Sequence, residues 1–400
     1  MKRTLIISPV FPPEPVVSAK LSLDIANSIS EKGSVAVITQ KSSRPFGFKF
    51  DAAELKFSFN VIRSNTITSP RSALIGRFRE SYAFGKYCYR YISENHSDIK
   101  VIYANTWPLC AQWYAVKAAK KYDIPIVIHV QDIYPESITN RILLLGGLIR
   151  ILLKPIDSFV LRNASKVIAI SESMRAYLVS TRSLDPQRVV VVRNWQEEDA
   201  FVKQEEVQST ADGKEPFTFM YLGNIGPVAG VELLIHAFAE AKLPDCRLVI
   251  AGSGTMKEGL KALAGDKQGV NIEFWNVPDG KVPETQGKAD VLLLPVKKGA
   301  AMSSIPSKLP AYMFSQKPIL ASVDKKSDTA ACILEANCGF VLDPENAAQL
   351  SECMNKMKRM KNEQLRTLGE NGFQYAVRNL SKRHNLERII KTIGELELPD

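Results

Sequence analysis

Short apolar runs rich in Val, Ile and Leu recur along the chain, and longer segments with helical spacing of apolar residues separate them. Runs of this kind are typical of buried strands, and their alternation with helices indicates parallel sheets. In the first half of the chain the predicted strands are 4–8, 35–39, 101–105, 125–130, 166–171 and 189–193. In the second half they are 217–223, 247–252, 270–274, 290–296, 318–322 and 338–342. The pattern therefore predicts an α/β protein.

The predicted strands form two series separated by a polar, acidic segment, 196–216, which is typical of an interdomain linker. A chain of 400 residues also favours two domains. Between the early strands, 19–33 and 109–123 have helical spacing, and the first ends on Lys-Gly, a common signal for the end of a helix. The sequence thus predicts one parallel-sheet domain over 1–200 and a second over 216–374.

The net charge of +10 is confined to the first half of the chain. Residues 1–200 contain 27 Lys and Arg against 17 Asp and Glu, whereas residues 201–400 contain 25 of each. A basic half indicates an anionic partner such as nucleic acid, a phospholipid surface or a phosphorylated substrate. Solubility explains the same excess equally well, so charge alone leaves these alternatives open.

The cysteines and the apolar runs set expectations about compartment and metal binding. The six cysteines are scattered without a C-x-x-C pair, which favours reduced thiols in the cytosol over a zinc site or a disulfide framework. The first apolar run is cut by Pro9 and is too short for a signal peptide. No run approaches the roughly 18 apolar residues of a transmembrane helix. No D-x-D motif or His/Asp cluster occurs, so we expect no metal site.

The segment 306-PSKLPAYMFSQKPILAS-322 places a serine and a lysine before a short helical stretch. Ser307 can cap a helix that starts near Lys308, and Pro310 is tolerated in a first helical turn. The helix dipole and the lysine charge together suit a diphosphate. The predicted strand 290–296 ends just before, at the sheet edge where open α/β sheets bind ligands. The alternative is a capping serine beside a solvated lysine.

A second glycine-bearing loop opens the second domain, in 221-YLGNIGPVAGVELLIHAFAEA-241. Gly223 and Gly226 permit close backbone approach, and a helix that starts near Gly230 offers N–H groups to an anion. The loop is not a G-x-G-x-x-G fingerprint, and its strand-loop-helix context is common. Phosphate binding and a plain connecting loop therefore both remain open for this segment.

Taken in order and spacing, these motifs resemble a family-4 retaining glycosyltransferase of the GT-B fold, of the bacterial WbuB type that transfers aminosugars to surface polysaccharides. The likeness covers nearly the whole chain. The matching pieces are FPPEP (11–15), QDIYPES (131–137), KVIAISESM (166–174), VRNW (192–195), YLGNIG (221–226), VIAGSG (249–254), ADVLLLPV (289–296) and PSKLPAYMFSQKPIL (306–320). The resemblance implies two Rossmann-like domains that face each other across a cleft, with a C-terminal helix, 375–400, packing back on the first.

The resemblance also implies an activity. The chain is expected to move a hexose or N-acetylated aminosugar from a nucleoside diphosphate donor to a glycan on a polyprenyl diphosphate lipid, and UDP is the expected nucleotide. Anomeric configuration would be retained, and no cofactor, metal or nucleic acid would be involved. Such an enzyme is expected in the cytoplasm, peripherally on the inner face of the plasma membrane. A non-catalytic sugar-nucleotide-binding protein and a nucleotide-sugar epimerase are the alternatives.

The donor site implied by the resemblance departs from the family pattern. Two family glutamates correspond here to Ser303 and Ala311, and a family arginine and lysine correspond to Asn224 and Ala229. Lys308 is therefore expected to be the main cation on the diphosphate and a catalytic residue. The full set of expected donor contacts is Ser18, Gly223, Asn224, Gly252, Pro306, Ser307, Lys308 and Leu309.

The first domain carries the implied acceptor-side residues. Asp132 is expected to be the catalytic carboxylate, orienting the acceptor hydroxyl or stabilising positive charge on the sugar ring; a turn or helix-capping aspartate is the alternative. His129 and Gln131 share one face of the preceding strand by alternation, and a packed strand histidine is the alternative for His129. Glu14, in the loop after the first strand, is expected on the acceptor side unless it is an exposed loop residue.

One further segment, 141-RILLLGGLIRILLKPIDSFVLR-162, predicts an interfacial helix or helical hairpin. Its longest uncharged apolar run is 142–149, which is too short to span a bilayer. Basic residues are spaced through it, so the segment suits an anionic membrane surface. A buried helix with tight packing at Gly146 and Gly147 is the alternative.

Overall fold

A computed structural model describes residues 2–44, 50, 55–69, 74–105, 110–139, 146–202, 216–278, 280–299, 306 and 308–397. The chain divides into two compact units. The first unit contains residues 1–193 together with 386–400, and the second contains residues 194–385. Each unit is built around one parallel sheet, as the sequence pattern predicts.

Within the described residues, the first unit contains a seven-stranded parallel sheet in the order β3-β2-β1-β4-β5-β6-β7. Its strands are β1 (Arg3–Ile7), β2 (Val35–Gln40), β3 (Asn60–Ser64), β4 (Ile99–Ala104), β5 (Ile126–Val130), β6 (Lys166–Ala169) and β7 (Val189–Val191). The central strands read as continuous apolar runs because helices cover both faces of the sheet. β2 and β5 are accordingly buried along their whole length.

Helices alternate with these strands, and all neighbouring strands in the sheet are parallel. The helices are α1 (Val17–Ser30), α2 (Leu74–Asn95), α3 (Cys110–Lys121), α4 (Glu136–Thr139), α5 (Gly146–Asn163) and α6 (Glu172–Arg182). Two 3₁₀ turns, His96–Asp98 and Pro186–Arg188, lead into β4 and β7. Ser171 caps α6 by accepting a hydrogen bond from the N–H of Met174 at 3.1 Å, the standard way to satisfy a first-turn donor.

The second unit repeats the design with six strands in the order β10-β9-β8-β11-β12-β13 among its described residues. The strands are β8 (Phe217–Leu222), β9 (Cys246–Ala251), β10 (Ile272–Trp275), β11 (Val291–Pro295), β12 (Ile319–Ser322) and β13 (Gly339–Leu342). The helices are α7 (Asp199–Val202), α8 (Val231–Ala241), α9 (Lys257–Gly265), α10 (Val282–Gly287), α11 (Lys308–Phe314), α12 (Asp328–Ala336), α13 (Ala347–Lys358) and α14 (Asn362–Asn379). The last helix, α15 (Lys382–Gly394), begins in the second unit and ends in the first. Separate apolar clusters cover the two faces of the six-stranded sheet.

In each sheet the strand order reverses once, between β1 and β4 in the first unit and between β8 and β11 in the second. Connections on the two sides of such a reversal run to opposite faces, which leaves a crevice beyond the carboxyl ends of the two strands. Ligands of open α/β sheets bind there. The topology thus indicates one candidate site in each unit.

The C-terminal segment differs from the single helix predicted over 375–400. α14 ends at Asn379, and α15 begins after Ser381, whose hydroxyl accepts a hydrogen bond from the N–H of His384 at 3.1 Å. That cap, together with a bond from the Gln196 N–H to the Leu380 carbonyl at 3.2 Å, breaks the helix. The chain leaves the second unit within α15, since residues 386–400 belong to the first unit.

The first residues of the segment predicted as a linker pack within the second unit. Gln196 forms a parallel bridge with Ser381, and Phe201 of α7 packs against Phe314 with ring centroids 6.0 Å apart. The second unit therefore starts at Asn194, whereas the sequence pattern placed residues up to 200 in the first domain. The rest of the predicted linker, 203–215, lies outside the described residues.

Candidate functional site

A cavity of about 80 Å³ lies at the strand reversal of the first unit. It is bounded by Pro9 and Val10 after β1, by Asn105 after β4 and by Gln131 and Asp132 after β5. The lining residues with polar side chains are Ser18, Asn105, Gln112, Gln131, Asp132, Tyr134 and Asp157. We refer to it as the first-unit cavity. The structure thus brings together three residues predicted from the sequence, Ser18, Gln131 and Asp132.

Gln131 is the cavity end of a hydrogen-bonded chain that runs into the core. Its side-chain amide lies 3.0 Å from His129 Nε2, and His129 Nδ1 lies 2.6 Å from the hydroxyl of Tyr103. Burial lowers the pKa of His129 to about 3, so its ring is neutral and serves both neighbours by one donor and one acceptor nitrogen. The chain fixes the orientation of Gln131, which is half-buried beside the exposed Asp132.

His129 itself does not line the cavity, which corrects its prediction as an acceptor-side contact. Only 1 % of the residue is exposed, because it sits on the central strand β5 under Gln131. The packed strand histidine, the alternative weighed from the sequence, is the arrangement observed. His129 acts on the cavity only through the amide of Gln131.

Glu14 is also a correction. Its carboxylate is buried and accepts hydrogen bonds from the N–H groups of Ser43 and Arg44, both at 2.9 Å, and of Phe11 at 3.2 Å. Burial raises its pKa above the ordinary value despite these donors. Glu14 is neither an acceptor-side residue of the first-unit cavity nor an exposed loop residue, because its oxygens hold two loops together.

A short ladder of side chains supports the opposite wall of the cavity. The Asn105 amide donates to the hydroxyl of Ser22 at 3.2 Å, and Ser22 donates to the hydroxyl of Ser8 at 2.9 Å. Ser8 donates in turn to the carbonyl of Val10 at 2.8 Å. The ladder joins α1 to the loops after β1 and β4, so it fixes Asn105 and the turn that carries Ser18. Sequence reasoning identified Ser18 but not Asn105.

Asp157 of α5 is a second carboxylate at this cavity, and no sequence motif points to it. Its Oδ2 accepts a hydrogen bond from Arg182 Nε at 2.7 Å. Arg182 is fully buried and also donates to Glu136 Oε2 and to the Tyr134 carbonyl, both at 2.7 Å. The partners lie 25 and 46 residues from Arg182 in the sequence. Only the folded chain brings this trio together.

The pKa values of the three residues shift in different directions. Burial raises the pKa of Asp157 to about 6, since desolvation outweighs the attraction of Arg182. Burial alone would also raise the pKa of Glu136, but hydrogen bonds from Arg182 and from the hydroxyl of Tyr177 hold it below its ordinary value. The two carboxylates in turn hold the pKa of Arg182 above its ordinary value against its own burial. Asp157 is thus the member that titrates nearest neutrality.

The candidate site of the second unit lies where the loop after β8 meets the start of α11. A Cβ on Gly223 would lie 2.9 Å from Lys308 Cε and 3.1 Å from Nζ. A Cβ on Gly252, whose φ is +123°, would lie only 2.2 Å from the carbonyl oxygen of Gly223. Gly252 therefore lets the loops after β8 and β9 stack, and Gly223 leaves room for the lysine.

Lys308 is the cation of this site. Its ammonium donates to the Tyr221 hydroxyl at 2.7 Å and lies 4.4 Å from the centre of the Tyr221 ring. Tyr221 donates onward to the carbonyl of Asn224 at 2.6 Å. Burial lowers the pKa of Lys308 to about 8. Within the described residues no carboxylate pairs with the ammonium, and two of its three N–H donors have no protein acceptor. We refer to Lys308, Tyr221 and Gly223 as the lysine site.

The other residues predicted to contact the donor differ in how exposed they are near the lysine site. Pro306 is half-buried, and its carbonyl accepts a hydrogen bond from the N–H of Leu309 at 3.0 Å. Leu309 is fully buried in the core, so neither its side chain nor its N–H is available to a ligand, which corrects its prediction. Ser307 and Ser303 lie outside the described residues, and Ala311 is buried in α11. Asn224 is exposed at the tip of the loop.

A second cation, Lys257, was missed from the sequence. It belongs to α9, and its ammonium donates to the Gly252 carbonyl at 2.8 Å and to Asn276 Oδ1 at 2.7 Å. These bonds tie the loops after β9 and β10 together. Since its donors are taken by the protein, Lys257 supports the loop of Gly252 rather than presenting a charge to a ligand.

A further cavity of about 210 Å³ lies between the start of α8, the end of β11 and the loop after β13. Lys297 and Glu232 line it and form an ion pair at 2.7 Å. None of the residues predicted to contact a donor lines this cavity. We therefore assign the candidate donor site to the lysine site.

The described part of the chain contains neither a metal-binding cluster nor a membrane-spanning helix. No group of three or more His, Cys, Asp or Glu residues there is arranged to hold a metal ion. Among the same residues, no helix has both the length and the apolar character needed to cross a bilayer.

Two family models match the chain in succession. Residues 22–197 match the model described as Glycosyltransferase Family 4, and residues 202–375 match the model described as Glycosyl transferases group 1. The first match covers most of the first unit, and the second covers most of the second unit. The lysine site falls within matched residues, and so does the first-unit cavity apart from Pro9, Val10 and Ser18.

Curated relatives and a solved structure agree with these matches. The chain is 24 % identical over 280 residues to a probable glycosyltransferase, WbjE, of Pseudomonas aeruginosa, covering 68 % of each chain. It is 26 % identical over 195 residues to a putative colanic acid biosynthesis glycosyl transferase, WcaI, of Escherichia coli K12, covering 46 % of this chain and 47 % of the relative. The structure of HepE from Anabaena in complex with UDP superposes with a TM-score of 0.69 and 16 % identity over 99 % of this chain and 100 % of HepE.

Proposed function

This chain is a glycosyltransferase of the GT-B fold whose halves belong to the family-4 and group-1 domains. From that premise we propose that it transfers a hexose or an N-acetylated aminosugar from a UDP-sugar donor to a lipid-linked glycan. The relatives WbjE and WcaI and the UDP complex of HepE support polysaccharide synthesis and a UDP donor. We propose retention of anomeric configuration, as in the WbuB-type transferases that the motifs resemble.

The observation that carries the proposal is the desolvated ammonium of Lys308. A buried cation without a carboxylate partner is unfavourable unless a ligand supplies the negative charge. Its position beyond the carboxyl ends of β8 and β11 is the position where open sheets bind ligands. A diphosphate fits both requirements.

In the proposed reaction the bond between the sugar C1 and the diphosphate oxygen breaks, and its electron pair leaves with UDP. The oxygen of the acceptor hydroxyl forms the new bond to C1, and the hydroxyl proton passes to the departing diphosphate. The Lys308 ammonium stabilises the charge that develops on the departing diphosphate oxygen. The ammonium also donates a hydrogen bond to the Tyr221 hydroxyl at 2.7 Å, and this bond fixes the orientation of the ammonium. Gly223 keeps the approach to the ammonium free of a Cβ. We propose that the step requires neither a metal ion nor an organic cofactor, so added EDTA should leave the rate unchanged.

The first-unit cavity is the proposed acceptor side. Asp132 is exposed at its rim and is placed to orient the acceptor hydroxyl or to stabilise positive charge on the sugar ring. We expect Asp132→Asn to lower turnover strongly while UDP affinity stays nearly constant, because the nucleotide binds the second unit. Equal losses of nucleotide affinity and of thermal stability would instead show a structural role for Asp132.

The donor proposal is tested by UDP binding to Lys308→Ala. A charge-assisted phosphate contact is worth roughly 1.5–3 kcal/mol, so the dissociation constant for UDP should rise about ten- to a hundredfold. Lys317→Ala is the matched control, because burial also lowers the pKa of Lys317, which lies at the opposite end of the same sheet before β12. Unchanged UDP affinity in Lys308→Ala would refute the assignment. A panel of UDP-, GDP- and dTDP-sugars, with NMR of the product anomer, then identifies donor and stereochemistry.

We also propose that the enzyme works peripherally at the inner face of the plasma membrane, through the first turns of α5. Leu148, Ile151 and Leu152 are 57 %, 71 % and 64 % exposed there, beside the basic Arg150 and Lys154. An apolar stripe flanked by basic residues suits an interface with anionic lipids. The segment 140–145 lies outside the described residues, so the predicted hairpin is not described.

Co-sedimentation with liposomes tests this surface. The protein should bind vesicles that contain anionic lipid at low salt, and binding should weaken at high salt, since each basic residue adds about 1 kcal/mol within a Debye length. Charge reversal of Arg150 and Lys154 together should abolish binding, whereas reversal of the exposed Lys325 and Lys326 in the second unit should not. No binding to anionic vesicles at low salt would remove the proposal.

A further inference from the structure

We propose that Asp157, held by Arg182, binds hydroxyl groups of the acceptor, and that the first-unit cavity accepts an uncharged sugar ring and excludes the diphosphate of the acceptor. The inference rests on the proposed function, since it assigns the acceptor class to the cavity of the first unit. It adds a residue that neither the sequence motifs nor the family resemblance pointed to.

One carboxylate oxygen of Asp157 accepts a hydrogen bond from the residues that the structure describes, and the other does not. Oδ2 accepts from Arg182 Nε at 2.7 Å, and Oδ1 has no hydrogen bond within the described part of the chain. The residue is only 5 % exposed, yet it lines the first-unit cavity. A carboxylate oxygen can accept two hydrogen bonds, so Oδ1 offers a fixed acceptor to a ligand inside the cavity.

The charges around the cavity select the kind of ligand. Asp132 and Asp157 supply the carboxyl groups of its lining, and none of the described residues that line it is Lys, Arg or His. The trio of Asp157, Glu136 and Arg182 has two carboxylates against one guanidinium, and this excess negative charge beside a partly desolvated cavity repels phosphate oxygens. The remaining polar residues of the lining carry amides or hydroxyls, and they are Asn105, Gln112, Gln131, Ser18 and Tyr134. Carboxylates, amides and hydroxyls are suitable partners for the hydroxyl groups of a sugar ring.

Stability alone does not account for the buried trio of Arg182, Asp157 and Glu136. Replacing such buried ion pairs with packed apolar residues is often neutral or stabilising. The guanidinium, however, fixes Asp157 in one orientation with Oδ2 occupied, and Glu136 carries the second half of the guanidinium charge. Arg182 and Glu136 are therefore positioning residues for the carboxylate at the cavity.

The arrangement predicts a pH dependence. An ionised carboxylate accepts hydroxyl hydrogen bonds more strongly than a protonated one, and the pKa of Asp157 is raised by burial to about 6. The charged and titratable groups that face it are Arg182 on α6, Glu136 on α4 and Asp132 and Tyr134 after β5. Sugar affinity should therefore increase between pH 5 and pH 7, as Asp157 loses its proton.

Hydrogen–deuterium exchange on the full chain tests the proposal with defined probes. A panel of methyl glycosides of common hexoses and N-acetylhexosamines should protect peptides covering 131–139 and 146–163. Inorganic pyrophosphate should leave those peptides unprotected, and UDP should protect peptides covering 221–226 and 308–314. Methyl glycosides are used because alkyl glycosides with longer chains would also bind the exposed apolar residues of α5.

Variants then assign the effect. Asp157→Asn should raise the dissociation constant of the bound glycoside about tenfold and remove its pH dependence, with UDP affinity unchanged. Asp98→Asn, which removes an exposed carboxylate before β4 at the opposite edge of the sheet, should change neither. If Asp157→Asn does not fold, Gln112→Leu on α3, which is outside the ion trio, should lose glycoside affinity at an unchanged thermal midpoint.

The outcomes separate the two proposals. If no glycoside protects 131–139 or 146–163 while UDP protects the second unit, the sugar cavity is refuted and the proposed function stands. Protection of the first-unit peptides by pyrophosphate, or glycoside affinity that is unchanged in Asp157→Asn, also overturns the inference. If UDP protects no peptide, the proposed function fails, and this inference fails with it.

Discussion

The two units carry opposite charges at equivalent places in the same topology. Beyond β1 and β4, the first unit presents the carboxylates of Asp132 and Asp157. Beyond β8 and β11, the second unit presents the ammonium of Lys308. The strand reversal therefore fixes where a site can form, while the few residues that follow the strands decide which charge it binds.

The units also differ in how they compensate a buried charge. Asp157 is balanced by Arg182 inside the protein, so the first unit holds its carboxylate with or without a ligand. Lys308 has a tyrosine hydroxyl but no carboxylate within the described residues, and its pKa is lowered to about 8. A counter-charge within the protein, such as Arg182 for Asp157, fixes the orientation of the charged group. A charged group without one among the described residues, such as Lys308, is neutralised only when a ligand of opposite charge binds.

The largest effect that tests this comparison is on stability. Arg182→Met leaves Asp157 and Glu136 buried without their cation, and breaking a buried pair in this way costs roughly 3–5 kcal/mol. The free energy of unfolding of the first unit, followed by urea titration, should fall by about that amount. Arg90→Met is the control, since Arg90 pairs with Glu94 on the exposed face of α2 and such pairs contribute at most about 1 kcal/mol.

Equal losses for the two arginine variants would contradict internal compensation in the first unit. The pH dependence adds a second check. Glu136 has a lowered pKa, so its contribution to stability is present above its ordinary range and is lost as pH falls through the lowered value. Arg182→Met should therefore remove part of the acid sensitivity of the first unit.

The second effect concerns the second unit and its ligand. Lys308 is charged below about pH 8 and neutral above it, and a bound diphosphate raises its pKa again. The dissociation constant for UDP should be constant below pH 8 and should rise by up to about tenfold per pH unit above it, because binding then takes up one proton. Isothermal titration in buffers of different ionisation enthalpy measures both the affinity and the proton uptake.

Lys308→Met provides the control for that titration, because its UDP affinity should be weaker and independent of pH between 7 and 9. A wild-type affinity that stays constant up to pH 10 would show that Lys308 does not contact the nucleotide. That result would also remove the contrast between a first unit that presents carboxylates to its ligand and a second unit that presents the Lys308 ammonium.

The smallest effect comes from the approach to the lysine. In Gly223→Ala the new Cβ would meet Lys308 Cε at 2.9 Å, and the flexible end of the side chain must shift. We expect a loss of about 1 kcal/mol, or roughly fivefold, in UDP affinity with little change in the thermal midpoint. Gly259→Ala on α9 is the control, since nothing lies within 4 Å of its added Cβ. Unaltered UDP affinity in Gly223→Ala would place the diphosphate elsewhere.

Most of the sheets could be predicted from the sequence because strands buried on both faces leave continuous apolar runs. The runs predicted at 35–39 and 290–296 are the observed strands β2 and β11. The exception is β3, Asn60–Ser64, which lies at a sheet edge with a mostly exposed or half-buried pattern. An edge strand buries little, so it leaves no apolar run to recognise.

The candidate sites were predictable only in part. Asp132 follows shortly after β5, and Lys308 begins the helix that comes after β11, so local sequence placed both at a sheet edge. Asp157 and Arg182 lie in the middle and at the end of helices, and their pairing depends on how α5 and α6 pack. Glu14 and Leu309 were misassigned because burial and backbone hydrogen bonding decide their roles, and neither is visible in a motif.

The return of the chain within α15 has a consequence for the order in which the units form during synthesis. Residues 194–385 are continuous, so the second unit has all its residues once position 385 has emerged. The first unit also needs residues made after position 385, since Glu397 binds Lys100 at 2.8 Å and the hydroxyl of Thr4 at 3.2 Å. Domains generally form as the ribosome delivers them. Here the half that is translated first is the half that is completed last.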